Sequence, residues 1–199
     1  MLVISKLKKE DIPSVADLHQ KGFDNFFLTS LGDNFLHKFY FSIIKSNKSI
    51  AIGAFDENGN LVGFAVGAKT KKGFYKELMK SNFFPLLSSA AYRLFADPTK
   101  IWRLANSFFT KESSNEDYLE SSTLLSICVD PQKKGLKIGK CLLHSFETEA
   151  KNYSDLITLT TDALDNNYVN SFYVSNKYVL SNSFKQGNRE MNLYFKKIK

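Results

Sequence analysis

Residues 124–151 carry two hydrophobic periods that cannot belong to one element. Leu124 to Val129 is an apolar run of strand length, the pattern of a strand buried on both faces. Asp130-Pro131 closes it, and a loop bearing lysines and glycine follows. From about Ile138 to Lys151 the spacing becomes helical, with Ile138, Cys141, Leu142 and Phe146 along one side. A strand buried on both faces needs a layer above and a layer below, and a helix starting so soon after it must belong to one of them. These residues call for a sheet covered by helices.

The flanking segments fit that requirement. Residues 2–7 alternate as a strand, and Lys9 to Pro13 opens a helix in which Asp11 can cap and Pro13 is tolerated in the first turn. Ile12, Val15, Ala16, Leu18 and His19 give that helix its apolar side, and Gly22 ends it. Residues 33–45 predict a second helix. Ile50, Ile52 and Ala54, the turn Glu57 to Asn60 and the run Leu61 to Ala68 read as a hairpin. Residues 71–111 mix apolar runs with basic residues and predict two or three short helices, and Lys111 to Asp117 predicts a loop. Leu156 to Thr160 is a further strand and 165–176 a helix. Two closing strands, about 178–185 and 189–196, flank Gln186-Gly187-Asn188. This order predicts a mixed α/β sheet in one domain over 1–199, with a helical insertion at about 71–116.

Composition narrows the function classes. The chain has 199 residues, 43% hydrophobic and 14% aromatic, enough for a full core without disulfide staples. Cys128 and Cys141 lie in apolar runs and read as small hydrophobes, which suits a reducing, cytoplasmic setting. Nothing at the N-terminus has the form of a signal peptide, and no apolar stretch reaches the roughly 18 residues of a membrane helix. A formal charge of +7 points to an anionic ligand without choosing among coenzyme A, a sugar nucleotide, nucleic acid or a membrane surface. The spread of lysines along the chain argues against nucleic acid. His19, His37 and His144 have no metal-ligand spacing, so no metal is expected.

The strand–loop–helix junction carries the clearest chemistry. The first N–H groups of a helix have no intrahelical acceptor, and the helix dipole places partial positive charge there. Gly135 and Gly139 let backbone approach a bulky anion, while Lys134, Lys137 and Lys140 add charge. The spacing fits neither a P-loop nor a dinucleotide fingerprint. An ordinary helix start with solvated lysines is the competing interpretation, against a phosphate or pyrophosphate site.

Val129-x-Pro131-x-x-Lys134-Gly135-x-x-Ile138-Gly139 resembles the acetyl-CoA motif of the GNAT N-acetyltransferase superfamily. The family pattern of Gln or Arg, two residues, Gly, one residue, then Gly or Ala falls here on Lys134, Lys137 and Gly139. Residues 167–178 resemble a later family motif: Asn, two residues, Ala, two residues, Phe-Tyr, three residues, Gly-Phe. Asn167, Phe172, Tyr173 and Tyr178 match or nearly match it, and Asn170 and Lys177 stand for Ala and Gly. The opening segment Lys9 to His19 is similar to the family's start, so the resemblance covers most of the chain outside the insertion.

The resemblance implies a central, mostly antiparallel sheet of about six to seven strands, with the insertion between the third and fourth. It also implies acetyl-CoA as cosubstrate and direct transfer to an amine. Ile127 and Val129 would pair with the pantetheine arm through their backbones. Lys134, Gly135, Lys137, Ile138, Gly139 and Lys140 would hold the pyrophosphate, and Asn167 would hydrogen-bond the cofactor or order water. Tyr173 resembles the family tyrosine that protonates the departing thiolate. A base is also required, because the amine must be neutral to attack. Among Glu120, Asp117 and Asp162, Glu120 is the expected one. Residues 187–194 resemble GNAT proteins of surface-polysaccharide synthesis, which suggests a small amine, an amino-sugar nucleotide, as acceptor. Trp102 and the phenylalanines of the insertion would line its pocket or form an auxiliary core. A homodimer and a non-catalytic acyl-CoA sensor remain compatible with these residues.

Overall fold

The computed structural model describes residues 2–24, 26–74, 76–78, 88 and 117–199. Apart from helical residues at 74, 76–78 and 88, the helices expected within 71–111 lie outside these, as do Trp102 and all of the loop expected over 111–117 but Asp117, which begins a short helix instead.

Among the described residues, seven strands form one sheet in the order β1-β2-β3-β4-β5-β7-β6. They are β1 (Val3–Lys6), β2 (Ser49–Phe55), β3 (Leu61–Ala68), β4 (Ser122–Val129), β5 (Leu156–Asp162), β6 (Val179–Gln186) and β7 (Arg189–Lys197). Only β4 and β5 run parallel; every other neighbouring pair is antiparallel. The described helices are α1 (Ile12–Gly22), α2 (Phe27–Ser30), α3 (Asp33–Lys45), α4 (Asp117–Glu120), α5 (Ile138–Ala150) and α6 (Asn167–Ser175). None of them is long and apolar enough to cross a membrane.

Two hydrophobic clusters sandwich the sheet, as the apolar run in β4 requires. One joins Val15, Ala16, Leu18, Phe35, Leu36, Tyr40 and Ile43 of α1 and α3 to Phe64, Val66 and Cys128. The other joins Ile138, Leu142, Leu143 and Phe146 of α5 to Ile52, Leu124, Ile157, Leu159, Tyr173 and Tyr194. Cys141 faces solvent rather than the core, because α5 buries positions 138, 142, 143, 146, 147 and 150. Glu147 is buried on α5 and accepts from Lys196 Nζ at 2.8 Å on each oxygen, tying the helix to β7.

The start of α1 differs from expectation. Lys9–Asp11 forms a 3₁₀ turn, and the Asp11 carboxylate accepts from the Lys8 N–H at 2.7 Å instead of capping α1. His19 is 4% exposed, and its Nδ1 lies 2.6 Å from the Tyr40 hydroxyl. Among the described residues its Nε2 has no partner, and burial pushes its pKa down to about 4.

A Cβ on Gly67 would meet the Thr123 carbonyl oxygen at 2.1 Å and the Phe146 ring at 2.6 Å, so neither the ladder nor the core can yield cheaply. Gly67→Ala should therefore cost about 2 kcal/mol or more, seen as a lower urea midpoint at unchanged slope. The unfolded chain protonates His19 near its ordinary 6.5, whereas the folded chain holds it neutral down to about 4. Between those values the unfolded state binds more protons, so stability falls as pH drops through that window. In His19→Gln, melting temperature against pH should be flatter there.

Candidate functional site: the opening between two parallel strands

The pairing of β4 with β5 runs from Ser122↔Ile157 to Leu124↔Leu159 and ends there. Beyond it, among the described residues, 126–129 pair with β3 alone, while β5 continues on β7 as far as Asp162↔Met191. The strands part at a bulge: Val66 pairs with Ser126 but Gly67 with Leu124, leaving Leu125 as an extra residue in β4. The Asp130 N–H donates to the Val62 carbonyl at 2.9 Å, on the β3 side. Peptide groups alternate along a strand, so those of Ile127 and Val129 face the opening. Their side chains pack with the cluster beneath α5.

From Val129 the chain crosses a 3₁₀ turn, Pro131–Lys133, where the Asp130 side chain accepts from the Gln132 N–H at 2.9 Å. It then enters the glycine- and lysine-bearing loop. Gly135 has φ +86°, and Lys137, the residue before α5, has φ +59° and ψ +13°. The Lys137 side chain makes no capping hydrogen bond, and the Cys141 N–H donates to the Lys137 carbonyl at 3.1 Å. The N–H groups of Ile138, Gly139 and Lys140 therefore begin the helix without an intrahelical acceptor. Lys134, Gly135, Lys137 and Lys140 are exposed around them, so the mouth of α5 is open, basic and adjacent to the parted strands.

Gly139 positions the far wall. A Cβ there would lie 3.7 Å from the Phe172 ring and 3.7 Å from a Val129 methyl, ordinary contact distances that a glycine or an alanine can meet. This brings α5, α6 and the parted half of β4 together. Tyr173, next to Phe172, is 5% exposed, with ring centroids 5.7 Å from Tyr178 and 6.0 Å from Tyr194. Burial pushes its phenol well above the usual tyrosine range, so it keeps its proton at neutral pH.

The end of β5 supplies the polar side. Asn166, which precedes α6, donates to Thr161 Oγ1 at 2.8 Å. Asn170 Nδ2 donates to the Asp162 and Asn166 carbonyls at 2.9 Å each, and its Oδ1 accepts from Asn192 at 3.0 Å and Tyr194 at 2.9 Å. Asn167 is exposed. The later motif, counted back from Tyr173, falls on Asn166 and Val169, one residue earlier than the count forward from Asn167. Sequence reasoning thus missed Asn166 through a register slip in a run of two asparagines.

The three carboxylates considered as bases fare differently. Glu120 ends α4, exposed and 2.5 Å from Lys72 Nζ, beside the end of β4 that is zipped to β5; the structure does not bring it to the opening. Asp117 begins α4, and its side chain lies outside the described residues. Asp162 stands on the parted arm of β5, its oxygens taken by Arg189 Nε at 2.7 Å and Nη2 at 2.6 Å. That fork occupies both carboxylate oxygens, so neither is turned to a group in the opening.

No protein-family model matches the sequence, and no curated protein matches it. Solved structures do. The aminoglycoside 6'-acetyltransferase type Ii superposes with a TM-score of 0.64 at 16% identity, over 99% of this chain and 97% of that one. The ribosomal-protein-S18-alanine N-acetyltransferase from Escherichia coli gives 0.61 at 14% identity, over 100% and 95%. An acetyltransferase of the GNAT family from Streptococcus pneumoniae gives 0.60 at 14%, over 99% of each chain. The fold is that of GNAT acetyltransferases, as the motifs implied.

Lys137 and Lys177, at the two motif positions where the family has glycine, both adopt left-handed backbone, with φ +59° and +68°. Lysine has kept the glycine conformation at a steric cost of about 1–2 kcal/mol. Lys137→Gly and Lys177→Gly should each stabilise by about 0.5–1 kcal/mol, after subtracting the freedom glycine adds to the unfolded chain. In thermal melts that is a rise of about 1–4 °C. Alanine at either position should give none.

Proposed function

We propose that this chain transfers an acetyl group from acetyl-CoA to a primary amine of a small molecule, within a single GNAT-like unit. The observation that carries the reading is the parting of β4 from β5 beside the uncapped start of α5. The fold shared with acetyltransferases supports it. Open peptide groups in mid-sheet suit an extended amide-bearing arm, and an open helix mouth ringed by lysines suits a diphosphate. Coenzyme A has both parts in the right order, and it would bring an activated thioester to the depth of the opening.

In this reading Lys134, Gly135, Lys137, Ile138, Gly139 and Lys140 hold the diphosphate, with Ile138 and Gly139 contributing backbone N–H groups. Ile127 and Val129 pair with the arm, and one of their N–H groups meets the charge that develops on the thioester oxygen. The amine attacks as the free base, forming the C–N bond as the C–S bond breaks. Tyr173, protonated because it is buried, donates to the leaving sulfur. Asn166 and Thr161, bonded to each other at the end of β5, order water that carries the amine's proton away. That role replaces Glu120, which faces solvent elsewhere. An amino-sugar nucleotide is the acceptor we favour. A non-catalytic acyl-CoA sensor is the second reading, but the glycine-like backbone at Lys137 and Lys177 removes the sequence irregularity that favoured it.

Titration calorimetry with coenzyme A should show binding, and acetyl-CoA should be turned over in the presence of an amine panel. Tyr173→Phe should lower kcat by about 100-fold or more while leaving coenzyme A affinity unchanged. Turnover unaffected by this change would remove Tyr173 from the reaction.

A further inference from the structure

Arg189 lies on the face of the opening opposite the helix mouth. Asn192 and Tyr194 bond Asn170 of α6, so their side chains point to the α5–α6 face of β7. Side chains alternate along a strand, which puts Arg189, Met191 and Leu193 on the other face, that of α1 and α3. Phe26, between α1 and α2, confirms the placement from the opposite side: its ring centroid lies 5.8 Å from the Arg189 guanidinium carbon. Phe26 in turn packs edge-on against Phe23 at 5.1 Å. The coenzyme loop and this arginine therefore address the same gap from opposite faces.

The guanidinium is oriented before any ligand arrives. Asp162 takes Nε and Nη2 in a side-on fork, and the guanidinium carbon sits over the Phe26 ring. Nη1 is left on the edge opposite the carboxylate, and the arginine side chain remains 35% exposed against 23% for Asp162. A planar edge of N–H donors fixed in this way matches an oxyanion, and the exposed Phe26 ring beside it offers a surface for a sugar or base. Resting on the acetyltransferase reading above, we infer that Arg189, held by Asp162 and Phe26, binds an oxyanion carried by the amine acceptor. The acceptor class is then an anionic amine, and Arg189 determines its specificity.

The test compares glucosamine with its 6-phosphate, its uridine diphosphate ester and the corresponding aminouronic acid, each with acetyl-CoA. These arms separate phosphate, diphosphate and carboxylate as the source of the oxyanion. The wild-type chain should favour at least one anionic member over glucosamine by about 30-fold or more in kcat/KM. Arg189→Ala should raise KM for that member and collapse the ratio towards one. Arg189→Lys keeps the charge without the fork, and should keep only part of the ratio. A ratio near one in the wild-type chain, or a ratio retained in Arg189→Ala, overturns the inference. An arginine that merely clamps β5 to the β6–β7 turn would lower the melting temperature and slow all four acceptors alike, which retains the ratio. Coenzyme A binding with no anionic preference overturns this inference alone. No coenzyme A binding overturns the parent reading and this one with it.

Discussion

Peptide groups in the middle of a sheet must be paired, and a strand that leaves its neighbour halfway along exposes some that have lost their partner. β4 is such a strand. Its first half is zipped to β5, its second half is held only by β3, and the groups that turn away from β3 face a gap. The residues given roles in the proposed reaction are arranged about that gap. α5 begins at one end, Phe172 of α6 approaches Val129 across Gly139 on one face, and Asp162 and Arg189 stand on the other. Both sides of the gap are anchored in the cluster under α5, through Ile127 and Val129 of β4 and Ile157 and Leu159 of β5, so the opening is flanked by core.

The described fold was largely legible because its signals are local. The apolar run of β4, the helical spacing after Ile138, the hairpin turn at residues 57–60 and the turn at Gln186 to Asn188 each rest on neighbouring residues. What local pattern does not carry is the partner of a strand. Nothing in Leu124 or Leu159 announces that pairing stops between them, and the bulge at Leu125 shows only when β3 is laid alongside. The short helices Phe27–Ser30 and Asp117–Glu120 are too brief to leave a periodic trace.

The site divides in the same way. The loop from Lys134 to Lys140 lies where its glycines and lysines indicated, because a helix start is a local event. Glu120 and Asp162 could be weighed only by what they meet across the chain, Lys72 in one case and Arg189 in the other. Lysine at positions 137 and 177 looked like a departure from pattern; the departure is in the side chain and not in the backbone. Cys141 shows the limit of reading a stripe by eye, since a residue one step off the buried arc looks apolar in sequence and faces water in space.

The extra residue in β4 has a consequence for how the two halves of that strand can vary. Side chains in an unbroken strand keep a strict parity, so the assignment of one residue to a face dictates all the others. Leu125 breaks that count: Leu125 and Ser126 are consecutive, yet Leu125 and Cys128 both pack on the α1–α3 side. The zipped half and the open half are thereby out of phase, and neither inherits its facing from the other. Residues lining the gap can change without re-registering the part of the strand that anchors the sheet.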